Sequence, residues 1–581
     1  MLTIHHSPLT THHPPLTTHH SPLTRTDWLL IGVLFALVLP LRLWLLYNTE
    51  VTARDSIGYI RYALQFEQYP WQEVLKKNHQ HPGYPVLLWL MSLPVRAIDG
   101  ATTPQNMEQS AQLVNLLAAL VLIVPMYFLG RQFFDRAISF WAVLLYQYLP
   151  ISAQHLSDGL SEPIFLALVL TGLLQAVHAI AERAIWRCVL CGLLTGLAYL
   201  TRPEGALILP AFACALVVMQ LLPKWRSSWR LFFACGFTAA LSAALVGSIY
   251  FIATGLITNK PSARMTIGIA ALVSPDSHPG QADTRSALAH TSRKRERRET
   301  NEVGNPAAGH LFAATFPKVG STALRLPRCI WALASEIIHG FHYVGCVPAL
   351  LGLCWTFGAL RRQRGFWVVL AYTLLHSFLL IALAMSVSYV SDRHVMILVL
   401  LGCFFAVAGL RELPRRVLTT HYSPLLTTHD SPWTTWYRSA RVWFGIFLFA
   451  LFAICLPKAT QRLHGNRAGN HEAGLWLAKH VAPDDNANIV DDHSWSHFFS
   501  GLIFQEGREP AFARDHPSKC YVVTTRSRDP LVDSVRQSAT IAKDAEVVYY
   551  WPEHDDIDNA RVLVHVQPRR YEEYPWPLAK K

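Results

Sequence analysis

The chain has 581 residues, of which 51% are hydrophobic and 15% charged, with a formal net charge of +12. That composition excludes an ordinary soluble protein of this length, because apolar windows of roughly 17–25 residues, long enough to cross a hydrocarbon core, recur along it. The positive balance does not point to nucleic acid, since no stacking platform or nucleic-acid motif accompanies it; it belongs to membrane orientation and lipid headgroups.

Residues 1–27 read as a disordered His/Pro-rich cytoplasmic tail. The unit His-His-Ser-Pro-Leu-Thr-Thr recurs over His5–Thr11, His12–Thr18 (Pro14 for serine) and His19–Thr24, and a related stretch returns at Leu418–Pro432. Proline in every unit blocks a helix, and there is too little apolar material for a core. The paired histidines could take a metal, yet a disordered tail and loop account for the composition without one. The first span, Trp28–Tyr47, has no small-residue cleavage site after it and reads as an uncleaved anchor running outward. In the polar stretch Asn48–His81, the apolar residues Ile57, Ile60, Ala63, Leu64 and Phe66 predict a short amphipathic helix beginning near Asp55. Pro82–Ile98 is apolar but marginal in length, and is placed as a re-entrant or in-plane helix on the outer face.

Further spans are expected at Ser110–Gly130, Ile138–Ala153, Pro163–Ile180, Cys188–Thr201, Gly205–Leu222, Leu231–Thr254, Ile330–Ala359, Phe366–Val387, Val395–Leu410 and Val442–Leu456. With the first they make about eleven, an odd count that puts the N-terminus inside and the C-terminus outside. The membrane domain is thus 28–457, with outer loop 1 at 48–109, a long outer loop at 255–329 and a disordered cytoplasmic loop at 411–441. The basic run Arg293–Arg298 falls in the long loop and reads as part of a flexible insertion. Residues 458–581 rise in charge density. Ala473–His480 looks helical, and Ala487–Val490, Cys520–Thr524, Glu546–Tyr550 and Arg561–Val566 look like strands, which predicts a small extracytoplasmic α/β domain. It lacks a glycine-rich phosphate loop, so no cofactor is assigned to it.

Basic clusters fix the orientation. Arg131–Arg136, Arg183–Arg187, Lys224–Arg230, Arg361–Arg364 and Arg411–Arg416 each lie between apolar stretches, and Lys and Arg beside short loops are retained in the cytoplasm. The segments between them then face outward, and they hold Asp55, His81, Asp158, Glu162, Arg202, Glu204, Asp392, Arg393 and His394. Of ten cysteines only Cys520 lies in the polar C-terminal part, so no disulfide framework follows; Cys188 and Cys191 read as helix packing.

Each polar turn has a plain structural explanation. Asp55 could cap the amphipathic helix, Glu162 could cap the helix that Pro163 opens, and Arg202 with Glu204 could be an exposed local ion pair worth under about 1 kcal/mol. Several such turns on one membrane face are better explained by chemistry there, because ionisable groups near hydrocarbon are costly unless used or paired. They suit transfer from a phosphate-linked donor. A carboxylate can take the proton of an attacking hydroxyl, and arginines with a histidine can stabilise the departing phosphate, each by roughly a few kcal/mol when water is excluded. Phosphate leaves readily, so a separate general acid is less needed than in glycoside hydrolysis.

Over roughly residues 28–410 the chain resembles the GT-C glycosyltransferases that use polyprenyl-phosphate sugars. The resemblance is to the bacterial protein O-mannosyltransferase and lipid A aminoarabinose transferase families, the glycosyltransferase family 39-like branch. It rests on Asp55 with Tyr59 and Arg61, on His81-Pro-Gly-Tyr-Pro85, on Leu156-Ser-Asp158 and on Leu200-Thr-Arg-Pro-Glu-Gly205. It implies an all-α polytopic fold, to which the small C-terminal α/β unit read from the strand pattern is added, and an inverting transferase acting on a protein, lipid or glycan hydroxyl at the outer face of a bacterial inner membrane. It makes Asp55 catalytic, His81 a contact of the donor phosphate and Asp158 a lining residue. Tyr59, Arg61, Glu162, Arg202, Glu204, Arg393 and His394 are the further substrate-binding candidates. The chain departs from the pattern in having a single Asp55 flanked by Arg54 rather than an acidic pair. A divalent metal on Asp55 and Asp158 is therefore possible but not expected. It also has His81 where a lysine occurs, which predicts phosphate affinity that varies with pH near neutrality.

Two other functions compete. A transporter or flippase of a lipid-linked sugar would carry broken helices and ionisable groups near the midplane with internal repeats, whereas no convincing inverted repeat is present and the charged motifs cluster at one face. A non-catalytic assembly protein would tolerate substitution in the polar turns.

Overall fold

The computed structural model describes residues 24–267, 325–387, 390–421, 439–481, 487–491, 494–504, 519–526, 541, 544–552 and 557–568. The His/Pro repeat before residue 24, its return beyond residue 421 and the run Arg293–Arg298 lie outside the described residues.

The apolar segments form helices, as their composition requires. They are α1 (Arg25–Tyr47), α2 (Arg54–Gln68), α3 (Trp71–Lys77), α4 (Gly83–Asp99), α5 (Pro104–Phe133), α6 (Arg136–Tyr148), α7 (Pro150–His155), α8 (Glu162–Glu182), α9 (Ile185–Thr201), α10 (Ile208–Leu221) and α11 (Trp229–Thr254). They continue as α12 (Pro261–Ile267), α13 (Arg325–Gly340), α14 (Cys346–Leu360), α15 (Phe366–Val387), α16 (Asp392–His421) and α17 (Ala440–Ala459). Among the described residues 8 helices are long and apolar enough to cross a membrane: α1, α5, α8, α10 with the turn before it, α11, α15, α16 and α17. α9 and α14 are shorter apolar helices. The chain is a multi-pass membrane protein.

Two expected spans are corrected. Ile138–Ala153 is interrupted at Pro150, which lacks an N–H and drives Leu149 to extended geometry (φ −61°, ψ 133°), so that α6 ends and the short α7 begins. Ile330–Ala359 is two helices, because His342 and Tyr343 adopt positive φ (50° and 65°) and turn the chain between α13 and α14. α4 is a 17-residue helix with an internal proline, packed against α2 and α5 and closed by Gly100 in the left-handed region. It is not among the helices long enough to span.

The bundle has two chemically distinct ends. At one, Asp27 of α1 accepts from Tyr127 Oη (2.9 Å) and Arg136 Nε (3.0 Å), and Asp135 pairs with Arg411. These contacts tie α1, α5, α6 and α16 together where the basic clusters lie. At the other end α2, α8 and α16 begin and α9 finishes, and there the predicted site residues gather.

The C-terminal part carries α18 (Ala468–His480), α19 (Trp495–Phe499) and the strands β1 (Ala487–Asp491), β2 (Lys519–Thr525), β3 (Glu546–Trp551) and β4 (Val562–Pro568). The sheet order is β1-β2-β4-β3, with β1 parallel to β2 and the other pairs antiparallel. Ala473, Leu477, Tyr521, Val523, Tyr549, Val562 and Val564 form its apolar core against α18. All four strands and the helix fall where the sequence predicts them.

Candidate active site

α2 is amphipathic, and burial of Ile57, Ile60, Ala63 and Leu64 fixes its rotation. Its N-cap is Ala53, so Asp55 is a first-turn residue rather than the cap. Asp55 Oδ2 instead accepts from Arg393 Nη1 at 2.7 Å. Arg393, in the first turn of α16, also donates through Nε to Glu162 Oε1 at 2.8 Å. Glu162 is the first residue of α8, and the same oxygen takes Arg202 Nη1 at 2.6 Å. Arg202 Nε lies 3.5 Å from Glu204 Oε2, and Glu204 Oε1 takes Lys260 Nζ at 3.4 Å. Acid and base therefore alternate from Asp55 to Lys260 across five elements distant in sequence.

Burial decides what this chain of charges means. The side chains of Glu162, Arg202 and Glu204 are 2%, 11% and 14% exposed, whereas Asp55 is 48% exposed. The Arg202–Glu204 contact is thus not the exposed local pair its sequence spacing suggests. Charges removed from water this far are tolerable only when each is paired. Burial lowers the Lys260 ammonium's proton affinity, and the Glu204 carboxylate opposes that shift.

Two glycines allow the turns to close. Gly159, at φ +67°, has its Cβ position 2.5 Å from Ser56 Oγ and 3.0 Å from Thr52 Oγ1, so the loop bearing Asp158 lies directly against the start of α2. Gly205 packs on the backbone of Ala198 and Tyr199, where a Cβ would stand 2.6 Å from the Tyr199 nitrogen; this folds Arg202 and Glu204 back toward α8. α1 supplies a third fixture. Its buried Arg42 donates to Ala153 O, Ser157 Oγ, Gln147 O and Gln147 Oε1 (2.8, 3.0, 3.2 and 2.5 Å) and holds the segment leading to Asp158.

A narrow opening is lined by Glu162, Arg202, Glu204, Arg393 and His394, with His376 beside them and Phe165, Leu166, Leu380, Met396 and Ile397 forming an apolar side. Asp55, Tyr59 and Asp158 do not line it. Tyr59 Oη is 3.1 Å from Ser161 Oγ, and burial, reinforced by the Glu162 charge, pushes its phenol up to about 12. Asp158 takes His464 Nε2 on both oxygens, at 3.0 and 2.9 Å. His394 Nδ1 meets Ser391 Oγ at 2.8 Å, and Asp392 meets His155 Nε2 at 3.3 Å. Arg61 lies on the exposed face of α2 and does not line the opening.

His81 is not a free phosphate-seeking cation. It is 2% exposed, stacked on Tyr250 (4.5 Å) and edge-on to Tyr199 (5.0 Å), with Nε2 3.0 Å from Thr258 Oγ1. Burial pushes its imidazole down to about 4, from an ordinary 6.5. The ring is therefore neutral at physiological pH, and the expected phosphate affinity varying near neutrality is corrected. With a depressed folded value, the stabilisation by neutral His81 is complete above the unfolded value and is lost as pH falls toward the folded one. His81→Gln is accordingly expected to leave the activity–pH curve unchanged between about pH 6 and 8. A displaced limb in that range would show that His81 titrates during turnover.

Asp55 is held by Arg393 and Asp158 by His464, and among the described residues no three His, Cys, Asp or Glu side chains come together as a metal site. These donors do not fit a divalent ion, and no chemical step is assigned to one.

Lys260, Thr258, His376, Arg42 and His464 escape a reading of the sequence. Lys260 and Thr258 sit at the start of the long outer loop, and His464 lies beyond the last span. Arg42 was legible in principle, since an ionisable residue inside an apolar anchor marks a buried partner set.

Residues 80–250 match the family described as dolichyl-phosphate-mannose-protein mannosyltransferase. The fold is similar to that of ArnT from Cupriavidus metallidurans bound to undecaprenyl phosphate, with a TM-score of 0.52 and 14% identity over 94% of this chain and 98% of that one. It is also similar to the Archaeoglobus fulgidus oligosaccharyltransferase in complex with zinc and sulfate, with a TM-score of 0.51 and 12% identity over 82% of this chain and 61% of that one. No curated protein matches the chain by sequence. The family match over residues 80–250 and the fold shared over 94% of the chain together indicate a membrane glycosyltransferase. The matched segment carries His81, Asp158, Glu162, Arg202 and Glu204, while Asp55, Lys260 and Arg393 reach the same site from outside it.

Proposed function

We propose that the chain transfers a sugar from a polyprenyl-phosphate donor to an acceptor hydroxyl, with inversion, at the outer face of a bacterial inner membrane. The observation that carries this reading is the half-exposed Asp55 carboxylate bound to Arg393, whose guanidinium also binds the buried Glu162. Asp55 is the acid of that chain most open to an incoming hydroxyl. Arg393, Arg202 and Lys260 suit the phosphate, and the apolar side of the opening suits the first isoprene units. The acceptor oxygen attacks the anomeric carbon opposite the phosphate, the bond to the phosphate oxygen breaks with its electron pair, and the hydroxyl proton passes to Asp55. Charge builds on the leaving phosphate, where fixed guanidinium groups stabilise it. A single displacement inverts the anomeric centre.

The orientation rests on the two ends of the bundle. The end holding Asp27, Arg131, Arg136 and Arg411 collects the basic clusters and is assigned to the cytoplasm, which puts the site and the C-terminal sheet outside. The charged groups stand at helix ends and the turns between helices rather than at mid-helix breaks, which favours a transferase over a transporter.

The test uses the purified full chain in liposomes with undecaprenyl phosphate carrying tritiated mannose and an envelope extract as acceptor. Label is expected in acceptor material, and Asp55→Asn is expected to abolish it. Label that crosses the bilayer still attached to the lipid, with no transfer, would establish a flippase instead.

A further inference from the structure

The chain after α17 returns to the catalytic turn and grips it from two sides. Trp44 Nε1 donates to Thr460 O (2.9 Å), Leu463 O accepts from Glu50 N (3.1 Å), and Thr49 pairs with Leu463 as a parallel bridge. Arg462 Nη1 reaches Glu50 Oε2 at 3.2 Å. His464 then adopts a left-handed backbone, φ 51°, which sends Nε2 onto both oxygens of Asp158. Further on, the Asp491 carboxylate accepts the Ser496 N–H (2.7 Å) at the start of α19. Trp495, 3% exposed with the Arg467 guanidinium 4.8 Å over its ring, donates Nε1 to Thr52 O at 2.8 Å.

Both fasteners meet beside Asp55. Thr52, fully buried, precedes the helix whose first turn carries Asp55. Asp158 precedes Gly159, which is packed on Thr52 and Ser56. One grip holds the backbone before the catalytic carboxylate, and the other holds the loop lying against the residue after it. Neither His464 nor Trp495 lines the opening, and the cations suited to phosphate come from the turn after α9, from α16 and from the loop before α12.

We propose that His464 and Trp495 are positioning residues for the transfer step, and that the segment after the last span thereby sets the placement of Asp55 without binding the donor. This rests on Asp55 being the base. A misplacement of about 1 Å at a reacting group lowers rates by up to about 10²-fold, so the effect belongs in kcat and not in donor affinity. A residue that merely stabilises the fold would lower the amount of active protein and show no selective rescue.

The experiment measures kcat and donor KM of the full chain in liposomes for Trp495→Phe, His464→Leu, His464→Gln and Asp55→Asn, each normalised to folded protein by gel filtration. Trp495→Phe keeps an aromatic ring under Arg467 but removes the N–H together with the second ring, and the normalisation to folded protein separates that loss of packing from the loss of the hydrogen bond. Trp495→Phe and His464→Leu are expected to lower kcat by about 10–100-fold with unchanged donor KM. His464→Gln is expected to regain most of the rate, because its amide N–H can reach Asp158. Wild-type kcat in both Trp495→Phe and His464→Leu, with Asp55→Asn inactive, overturns this inference and leaves the base assignment standing. So does a raised donor KM with kcat retained. An active Asp55→Asn removes the base itself.

Discussion

Asp55→Asn is expected to lower transfer by roughly 10²–10⁴-fold, the usual contribution of a positioned general base, while donor binding stays at least as tight. Asparagine keeps the shape and one acceptor oxygen for Arg393, so the first turn of α2 has no reason to move. It cannot accept the acceptor proton at neutral pH. Removing the negative charge also leaves Glu162 as the remaining acidic partner of Arg393 among the described residues, which favours an incoming phosphate. Single-turnover transfer and equilibrium binding of the lipid-linked sugar separate the two effects. A fall in binding with the chemical step intact would make Asp55 a binding residue. Asp55→Glu retains the proton acceptor but displaces it along a helix whose buried face is fixed, and an intermediate rate is expected.

Glu162→Ala is expected to be the most damaging substitution for stability, by about 3–5 kcal/mol, because it removes the one carboxylate shared by two buried guanidinium groups and leaves Arg202 with Glu204 and Arg393 with Asp55. Glu162 Oε1 serves both Arg202 and Arg393, and the residue is 2% exposed. Without it two guanidinium groups face each other across the opening with no carboxylate between them. Glu162→Gln keeps the volume but not the charge and should fall between wild type and alanine. Unfolding in detergent checks this against Arg462→Ala, which breaks a pair whose arginine is 61% exposed and should change stability by less than about 1 kcal/mol. Equal effects of the two substitutions would mean that the charge chain adds little to the fold.

The fold was legible wherever local periodicity decides it. The apolar helices, the amphipathic α2 and the four strands depend on nearest neighbours, and the sequence predicts them. Pro150 and the positive-φ pair His342 and Tyr343 were misread because apolar composition runs straight through both breaks. Around the site, the motif residues Glu162, Arg202, Glu204 and Arg393 carry their own signal as charges at span ends. Their pairing does not, since it joins residues 40 and 231 positions apart. Lys260 and His464 lie where the chain looks like connector, and only the tertiary fold gives them partners. His81 was misjudged for the opposite reason, because its residue type suggests a cation while Tyr250, Tyr199 and Thr258 make its surroundings a neutral slot.

The alternating carboxylates and cations have a further consequence. Asp55, Glu162 and Glu204 stand against Arg393, Arg202 and Lys260, so the row is electroneutral as it stands. A glycosyl phosphodiester brings one more negative charge, and one carboxylate must then give up its share of a counterion. Glu162 is shared by two guanidinium groups and Glu204 lies between Arg202 and Lys260, which leaves Asp55 at the open terminus. On the proposed mechanism, loading the donor would itself toggle Asp55 from masked to basic, and the bare enzyme would hold its proton acceptor quenched.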